Sequence, residues 1–508
     1  MKKDSAELHQ LVTNLTLSEK RYCTLYLKKH STETGNRYLK LFNLLNTQQS
    51  YNSVQALKIT GYQNKPGHFA VLKKQLYEQL LDALHQYDLF TNPEQKLLRS
   101  IHQCHLLMQK GLFNASEKRM KSLMKDAAEM NHYEALMQLQ NLKMISYARK
   151  YYRQVTDSDL TQWRNETQQI LNDLTTTSDY RYNSSRVYRM QYETGGRGKE
   201  LALRMKNIID TPAFNNEKTA TTLRALLDYY QVKALYHFTN LETNKAEQYN
   251  AKFLQLLDEN PLLMQLHADR YFSVLNNYLI DCLILKKYDT LEEGLVKMRS
   301  LPQMPAFRRL VNFEANVFRL GYLLELNYRF ATGNFTEAYK AIKPITAGIK
   351  LYGEKIVKHN RITLQYLMAY VCFALGKYND ALDHLWPILQ EPETAVAEEV
   401  QLAARMMQLL CRFEKGETIL LDSLIKSIRR TLLKKDDTYD LQRAVLTFIN
   451  TSLRNSTISN KQWEDLYKKA DKLAQRKTAA ANLNLFNYLI WIKAHCLKQS
   501  FAELWVND

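Results

Sequence analysis

The chain has 508 residues, of which 45% are hydrophobic, and its formal net charge is +18 at pH 7. That apolar fraction excludes an intrinsically disordered chain, and 14 glycines with 9 prolines are too few for a protein built from tight β-turns. The basic surplus suits an acidic protein or a nucleic acid as partner, although acidic residues are interspersed with the basic ones and also fit an ordinary charged surface.

Residues 1–90 predict a separate bundle of helices. The stretch "LTLSEKRYCTLYLKKH" opens with Thr16 and Glu19 at the spacing of a capping box, in which each residue caps a backbone N–H of the other. The stretches "NRYLKLFNLLN" and "FAVLKKQLYEQLLDALHQY" continue with apolar residues at helical spacing.

Within this bundle, a short helix, a turn at Gly61 and a helix that carries Lys73 and Lys74 resemble a helix–turn–helix. Two interpretations stay open. The segment binds nucleic acid through Lys73 and Lys74, or the bundle covers one end of the helices that follow.

A stretch rich in tyrosine and arginine lies between residues 147 and 192. Its candidate nucleic-acid contacts are Arg149, Arg153, Arg186 and Arg189, because cationic and aromatic side chains together neutralise and stack on a single strand. The alternative is that these side chains fill seams between helices, with arginine stems packed on aromatic rings.

One segment of the chain occurs twice in similar form, and we call it the twice-written segment. "FATGNFTEAYKAIKPI" occupies Phe330–Ile345 and returns as "FALGKYNDALDHLWPI" at Phe373–Ile388. After the glycine of the first copy, the apolar residues Phe335, Ala338 and Ile342 have the spacing of one helical face. The glycine itself supplies the positive φ that ends the preceding helix. The unit is therefore predicted to be a helix, a tight turn and a second helix.

Other segments can be aligned on the same turn. The candidate turns are Gly111, Lys286 and Gly416, with a further hairpin around Ala246. Two-helix units that recur about every 40 residues are typical of helical solenoids. The sequence therefore predicts an all-α protein.

The repeated unit resembles the tetratricopeptide repeat, which has a glycine, an aromatic residue two positions later and an alanine five positions later. The matching positions are Gly333, Phe335 and Ala338 in one copy and Gly376, Tyr378 and Ala381 in the other. The chain departs from the family at Leu326 and Ala369, where the family has glycine, and Pro344 and Pro387 predict kinks in the second helices. The two ends of the chain are also similar to those of long helical proteins of Bacteroidota.

The resemblance implies a solenoid over residues 91–435, whose first helices line a concave groove, with residues 436–508 as a helical cap. The groove positions it implies are Asn276, Arg319, Asn327, Arg361, Tyr366 and Tyr370. Asparagine and tyrosine side chains there would hydrogen-bond a peptide backbone, and the arginines would attract carboxylates. The alternative for each position is plain packing between helices.

Several features bear on location. The run "VLNNYLIDCLIL" is apolar, but Asn276, Asn277 and Asp281 interrupt it well short of a membrane span. The opening "MKKDSAELHQ" precedes no apolar segment of a signal peptide, and the six cysteines are widely spaced with no C-x-x-C pair. We expect a cytoplasmic protein with reduced cysteines and no membrane segment.

No catalytic motif stands out. Walker-type phosphate loops, nucleophile elbows and zinc-finger spacings are missing, and the close group of His102, Cys104 and His105 has no carboxylate or second Cys/His group nearby in sequence. We therefore expect no metal, no cofactor and no enzymatic activity. The leading hypothesis is a scaffold whose groove binds a protein or peptide. The alternative is a regulator whose basic N-terminal helices bind nucleic acid while the solenoid senses a partner.

Overall fold

The computed structural model describes residues 2–29, 35–48, 50–194, 198–391, 398–433, 439–453, 458–475 and 485–506. Within these ranges every regular element is a helix and no strand is present, so the prediction of an all-α protein is confirmed. The chain divides into two compact units, Met1–Phe313 and Glu314–Asp508.

Sixteen α-helices of the first unit are numbered here in chain order. They are α1 (Lys2–Asn14), α2 (Leu17–Lys29), α3 (Gly35–Thr47), α4 (Ser53–Thr60), α5 (Pro66–Thr91), α6 (Pro93–Gln109), α7 (Phe113–Glu129), α8 (Tyr133–Arg149), α9 (Asp157–Glu193), α10 (Lys199–Ile209), α11 (Pro212–Asn215), α12 (Leu223–Thr239), α13 (Thr243–Asp258), α14 (Pro261–Leu266), α15 (Ala268–Ile284) and α16 (Tyr288–Ser300).

Helices α1 to α5 share a hydrophobic cluster of their own, which extends from Leu8 to Ala83. The predicted capping box starts α2, because the Thr16 N–H donates to Glu19 Oε2 at 2.7 Å and the Glu19 N–H donates to Thr16 Oγ1 at 3.3 Å. Helix α4 ends at Gly61, whose φ of 73° is left-handed, and α5 follows after a short turn.

The later helices of the first unit form hairpins in which neighbours in sequence pack on one another. The turns predicted at Gly111 and Lys286 are present, with φ of 76° and 56°. The hairpin predicted around Ala246 is formed by α12 and α13, and its left-handed residue is Leu241. A further hairpin, formed by α7 and α8, was not predicted, and its left-handed residue is Asn131.

Eleven α-helices are described from the unit boundary onward. They are α17 (Phe313–Ala331), which begins at the boundary, α18 (Phe335–Lys340), α19 (Ile342–Tyr352), α20 (Lys358–Ala374), α21 (Tyr378–Leu389), α22 (Glu398–Glu414), α23 (Thr418–Leu432), α24 (Asp440–Ser452), α25 (Asn460–Ala474), α26 (Tyr488–Leu497) and α27 (Phe501–Val506).

The twice-written segment folds as predicted in both copies. Gly333 and Gly376 have φ of 67° and 69° and end α17 and α20. In the first copy the second helix is interrupted near Pro344: α18 ends at Lys340 and α19 begins at Ile342. Proline has no N–H, so Pro344 cannot donate to the carbonyl of Lys340 four residues earlier. By contrast, α21 runs through Pro387 as one helix.

The second unit has a hydrophobic cluster that extends from Leu326 to Leu504. Residues of α24 to α27 therefore pack into the same core as the hairpins that precede them. Its helices pack largely in chain order, from α20 on α21 to α26 on α27, which gives a repeat-like helical fold. No helix in the described ranges is long and apolar enough to cross a membrane.

Candidate ligand-binding site

A cavity of about 190 Å³ lies in the first unit, among four helices. Helix α9 packs on α12, α12 packs on α13, and α13 packs on α15. The lining residues are Tyr188 and Gln191 from α9, Gln231, Ala234, Leu235 and Phe238 from α12, Asn250 from α13, and Val274, Asn277, Ile280 and Asp281 from α15. The cavity thus combines an apolar wall with amide, hydroxyl and carboxyl groups.

Helical spacing explains why these side chains converge. On α15, residues Val274, Asn277 and Asp281 are three and four positions apart and share one face. On α9, a helix of 37 residues, Ser184 and Val187 are buried, which places the adjacent Tyr188 and Gln191 at the edge of the packed surface.

One end of the cavity is acidic. Asp281 is only 1% exposed, and its Oδ2 accepts a hydrogen bond from Asn250 Nδ2 at 2.7 Å. The pKa of Asp281 is raised to about 7, mainly because the carboxyl is buried; the hydrogen bond from Asn250 lowers the pKa, and the charge of Glu247 raises it. Glu247 is itself paired with Lys287 at 2.9 Å. Among the described residues, no basic side chain forms an ion pair with Asp281.

A buried ion-pair network joins α9, α12 and α15 beside the cavity, and it meets the cavity lining at Gln231. Arg270 Nη2 donates to Asp228 Oδ1 at 2.7 Å, and Arg270 Nε donates to Gln231 Oε1 at 3.0 Å. Arg181 Nε lies 3.8 Å from the other Asp228 oxygen. His267 is also close, and burial followed by the charge of Arg270 lowers its pKa to about 3, so it is neutral. Arg270 and Asp281 are eleven positions apart on one helix, or about 16 Å.

Apart from Asp281, the polar side chains that line the cavity are uncharged amides and a phenol. Tyr188 stands at the rim with 42% of its surface exposed, and Asn277 is also exposed. Amide and hydroxyl groups can donate and accept hydrogen bonds, which suits recognition of a polar ligand. Among the described residues, no group of three or more His, Cys, Asp or Glu side chains could hold a metal ion.

Of the predicted groove positions, Asn276 is nearest to this cavity, one residue before Asn277 on α15. It is half-buried, and its buried Oδ1 has no hydrogen-bond partner among the described residues. The cavity itself is lined by the next residue of the chain, Asn277.

The predicted positions Tyr366 and Tyr370 are covered by the chain itself. They are 5% and 4% exposed. The Tyr366 hydroxyl donates to the Leu485 carbonyl at 2.8 Å, and the Asn487 N–H donates to the Tyr370 hydroxyl at 2.9 Å. Burial raises the pKa of both phenols. The C-terminal segment therefore occupies the surface on which the resemblance places a partner.

The other predicted groove residues of the second unit make local contacts. Asn327 is exposed, and its Nδ2 donates to the Leu323 carbonyl at 2.6 Å. Arg361 Nη1 lies 2.9 Å from Glu354 Oε1. Arg319 Nη2 donates to an asparagine one turn earlier at 3.3 Å, and partial burial lowers its pKa.

The predicted nucleic-acid contacts lie on three helical segments of the first unit. Lys73 stacks over the Phe69 ring at 5.2 Å on α5. Arg186 lies over the ring of Tyr182 at 5.5 Å, and Arg189 pairs with Glu193 at 2.8 Å, both on α9. The remaining three are exposed: Lys74 on α5, and Arg149 and Arg153 beside the turn between α8 and α9.

Sequence reasoning missed the cavity, although a signal for it was present. Asn276, Asn277 and Asp281 interrupt an apolar run, which argues against a membrane span. Polar residues at helical spacing inside an apolar helix also indicate a polar site within a packed protein, because a buried polar group needs a partner.

Comparison of the chain with protein-family models, with curated proteins and with solved structures gives no match. The structure itself shows a protein built of many helices in a repeat-like arrangement. The resemblances to tetratricopeptide repeats and to proteins of Bacteroidota stay predictions.

Proposed function

We propose that the chain is a non-enzymatic helical solenoid that binds a partner protein or peptide, and that the partner binds the surface formed by α9, α12 and α15. The proposal rests above all on the cavity between these helices, which is open to solvent and lined by amide groups. In a tetratricopeptide array the first helix of each hairpin faces the groove, and α12 and α15 are first helices of hairpins.

We place the partner-binding site in the first unit because the corresponding surface of the second unit is already covered by the chain itself. The hydroxyls of Tyr366 and Tyr370 already bond to the C-terminal segment, so a partner would have to displace part of the protein's own core. The side chains of Gln191 and Asn277 line the cavity without a hydrogen-bond partner within the described part of the chain. They are available to a peptide backbone.

A double substitution tests the proposal. Gln191→Ala with Asn277→Ala removes two amides from the cavity and leaves the buried pairs intact. We expect proteins captured from the native cytosol by the unaltered chain to be lost, with affinity for an identified partner reduced at least tenfold. Gln248→Ala, an exposed amide on α13, is the matched control and should capture normally. Recovery of the same partners by the double variant would refute the site.

A second candidate function is supported by one local feature, the arrangement in which α4 is followed by a turn at Gly61 and then by α5. A helix, a left-handed turn and a helix that exposes Lys74 fit a helix–turn–helix that binds nucleic acid. Binding of this kind weakens steeply with salt because counterions are released from the phosphates. A gel-retardation series with duplex DNA and with RNA, from low salt upward, distinguishes the two functions. No retardation at the lowest salt would remove this candidate.

A further inference from the structure

We propose that the cavity among α9, α12, α13 and α15 binds a primary ammonium group, the end of a lysine side chain of the partner, with Asp281 as its counter-charge. This inference rests on the proposed function, since it names the chemical group of the partner that enters the proposed site.

The first observation is a buried carboxyl group with no cation of its own. Asp281 is 1% exposed, and the described groups that act on its side chain are Asn250, the acidic Glu247 and the thiol of Cys282. By contrast, the other buried aspartate of this surface, Asp228, is paired with Arg270. An ionised carboxylate out of water is costly unless a positive charge accompanies it, so an entering cation is favoured at Asp281 and not at Asp228.

The second observation selects ammonium over guanidinium. One oxygen of Asp281 accepts the hydrogen bond from Asn250 at 2.7 Å, which leaves the other oxygen for a ligand. A guanidinium gains most from two parallel hydrogen bonds to both oxygens, whereas an ammonium is a point charge that is satisfied by single acceptors. The amide oxygens of Gln191 and Asn277 can accept its remaining hydrogens.

The third observation concerns size and the apolar wall. A cavity of about 190 Å³ is smaller than the roughly 300–1,000 Å³ of ordinary small-molecule pockets, so it suits the end of a side chain better than a whole ligand. Leu235, Val274 and Ile280 line it and would pack on the methylene groups of a lysine stem. The rings of Tyr188 and Phe238 also line it, and aromatic faces attract cations.

The charges around Asp281 determine how binding responds to pH. From α13 it faces Glu247, which is held by Lys287, and on α15 its ionisable neighbour is Cys282, whose pKa burial raises to about 11. The cavity residues from α12 are uncharged, and α9 contributes the phenol of Tyr188. Asp281 is therefore the group that changes charge between pH 6 and pH 8, and the ammonium binds its ionised form.

The test uses the full chain and n-butylammonium as the probe, with n-butanol as its neutral counterpart, titrated at pH 8 by saturation-transfer NMR. We expect n-butylammonium to bind saturably and n-butanol at least tenfold more weakly. Asp281→Asn should weaken n-butylammonium at least tenfold, while Asp269→Asn, an exposed acid on the same helix, should bind it like the unaltered chain. Far-UV circular dichroism verifies that both variants are helical.

A second measurement needs no substitution. Because the pKa of Asp281 is about 7, the ionised fraction falls about tenfold from pH 8 to pH 6, and the affinity for n-butylammonium should fall with it. Equal binding of the two probes, or a pH-independent affinity, would overturn the ammonium site. The partner could still be lost from the Gln191→Ala, Asn277→Ala variant in that case, and the proposed function would stand. Unchanged capture by that variant would instead refute the function itself.

Discussion

Asp281→Asn should stabilise the first unit at alkaline pH. The carboxyl is buried with no cationic partner in the described part of the chain, and its pKa is about 7 in the native protein, against 3.8 for an ordinary aspartate. Between these values the native state binds more protons than the unfolded state, and the free energy of unfolding therefore falls as pH rises. Asparagine has the same shape, still accepts the hydrogen bond from Asn250, and carries no charge.

The magnitude follows from the two pKa values. Each unit of difference corresponds to about 1.4 kcal/mol, so the ionised carboxyl lowers the free energy of unfolding by about 4 kcal/mol above pH 7. At pH 5 only the unfolded chain is ionised to any extent, and the loss there is roughly 1–2 kcal/mol. The stability difference between Asp281→Asn and the unaltered chain should thus grow by about 3 kcal/mol from pH 5 to pH 8.

The assay must report on the first unit alone, since two compact units can unfold in separate steps. Native-state hydrogen exchange of peptides from α15, in increasing urea at pH 5 and pH 8, supplies the free energy of opening at Asp281 itself. Exchange is corrected for its intrinsic dependence on pH. Asp269→Asn is the control and should change little between the two pH values. A stability difference for Asp281→Asn that is the same at pH 5 and pH 8 would show that the carboxyl is solvated or already paired.

Four further substitutions test the packing, a turn and the C-terminal contact by urea unfolding. Gly348→Ala would place a methyl group 2.0 Å from the Phe318 ring and should destabilise the second unit by about 1–3 kcal/mol, whereas Gly67→Ala enters open space in α5 and should be neutral or stabilising. Equal effects of the two would contradict this packing. Lys286→Gly relieves a left-handed φ of 56° and should stabilise its hairpin by up to about 1 kcal/mol, and a loss would contradict the turn. Tyr366→Phe removes the hydroxyl that binds the C-terminal segment and should cost about 1–3 kcal/mol; no change would mean that this bond contributes nothing.

The sequence predicted the hairpins well because their determinants are local. A glycine in left-handed conformation, an aromatic residue and a small residue at fixed spacing specify a turn and the close approach of two helices, and both written copies fold in that way. Leu241 and Asn131 show the limit of this signal. Both residues have the left-handed conformation although neither is glycine, so the turns of their hairpins are harder to recognise in the sequence.

Which helix faces are covered by other parts of the chain was harder to predict, because it depends on contacts distant in sequence. Helical periodicity assigns Tyr366 and Tyr370 to one face of α20, but it does not say what covers that face. The cover comes from Leu485 and Asn487, more than a hundred positions later in the chain. Likewise, Asn250 and Asp281 meet across two helices, and no local pattern links an amide on one to a carboxyl on the other.

The contrast between a covered and an open hairpin face supports the choice of site. In the second unit the face of α17 and α20 is aromatic: Phe330 and Tyr370 contact Trp505, whose indole N–H donates to the Phe330 carbonyl at 2.7 Å. Packed aromatic rings whose polar atoms all have hydrogen-bond partners are typical of a permanent contact within a protein. The face of α12 and α15 instead exposes Asn277 and holds Asp281 with no cationic partner among the described residues. A permanent cover would have supplied that cation or removed that charge, since an unpaired buried carboxylate opposes folding. The group that completes this surface is therefore expected to come from another molecule.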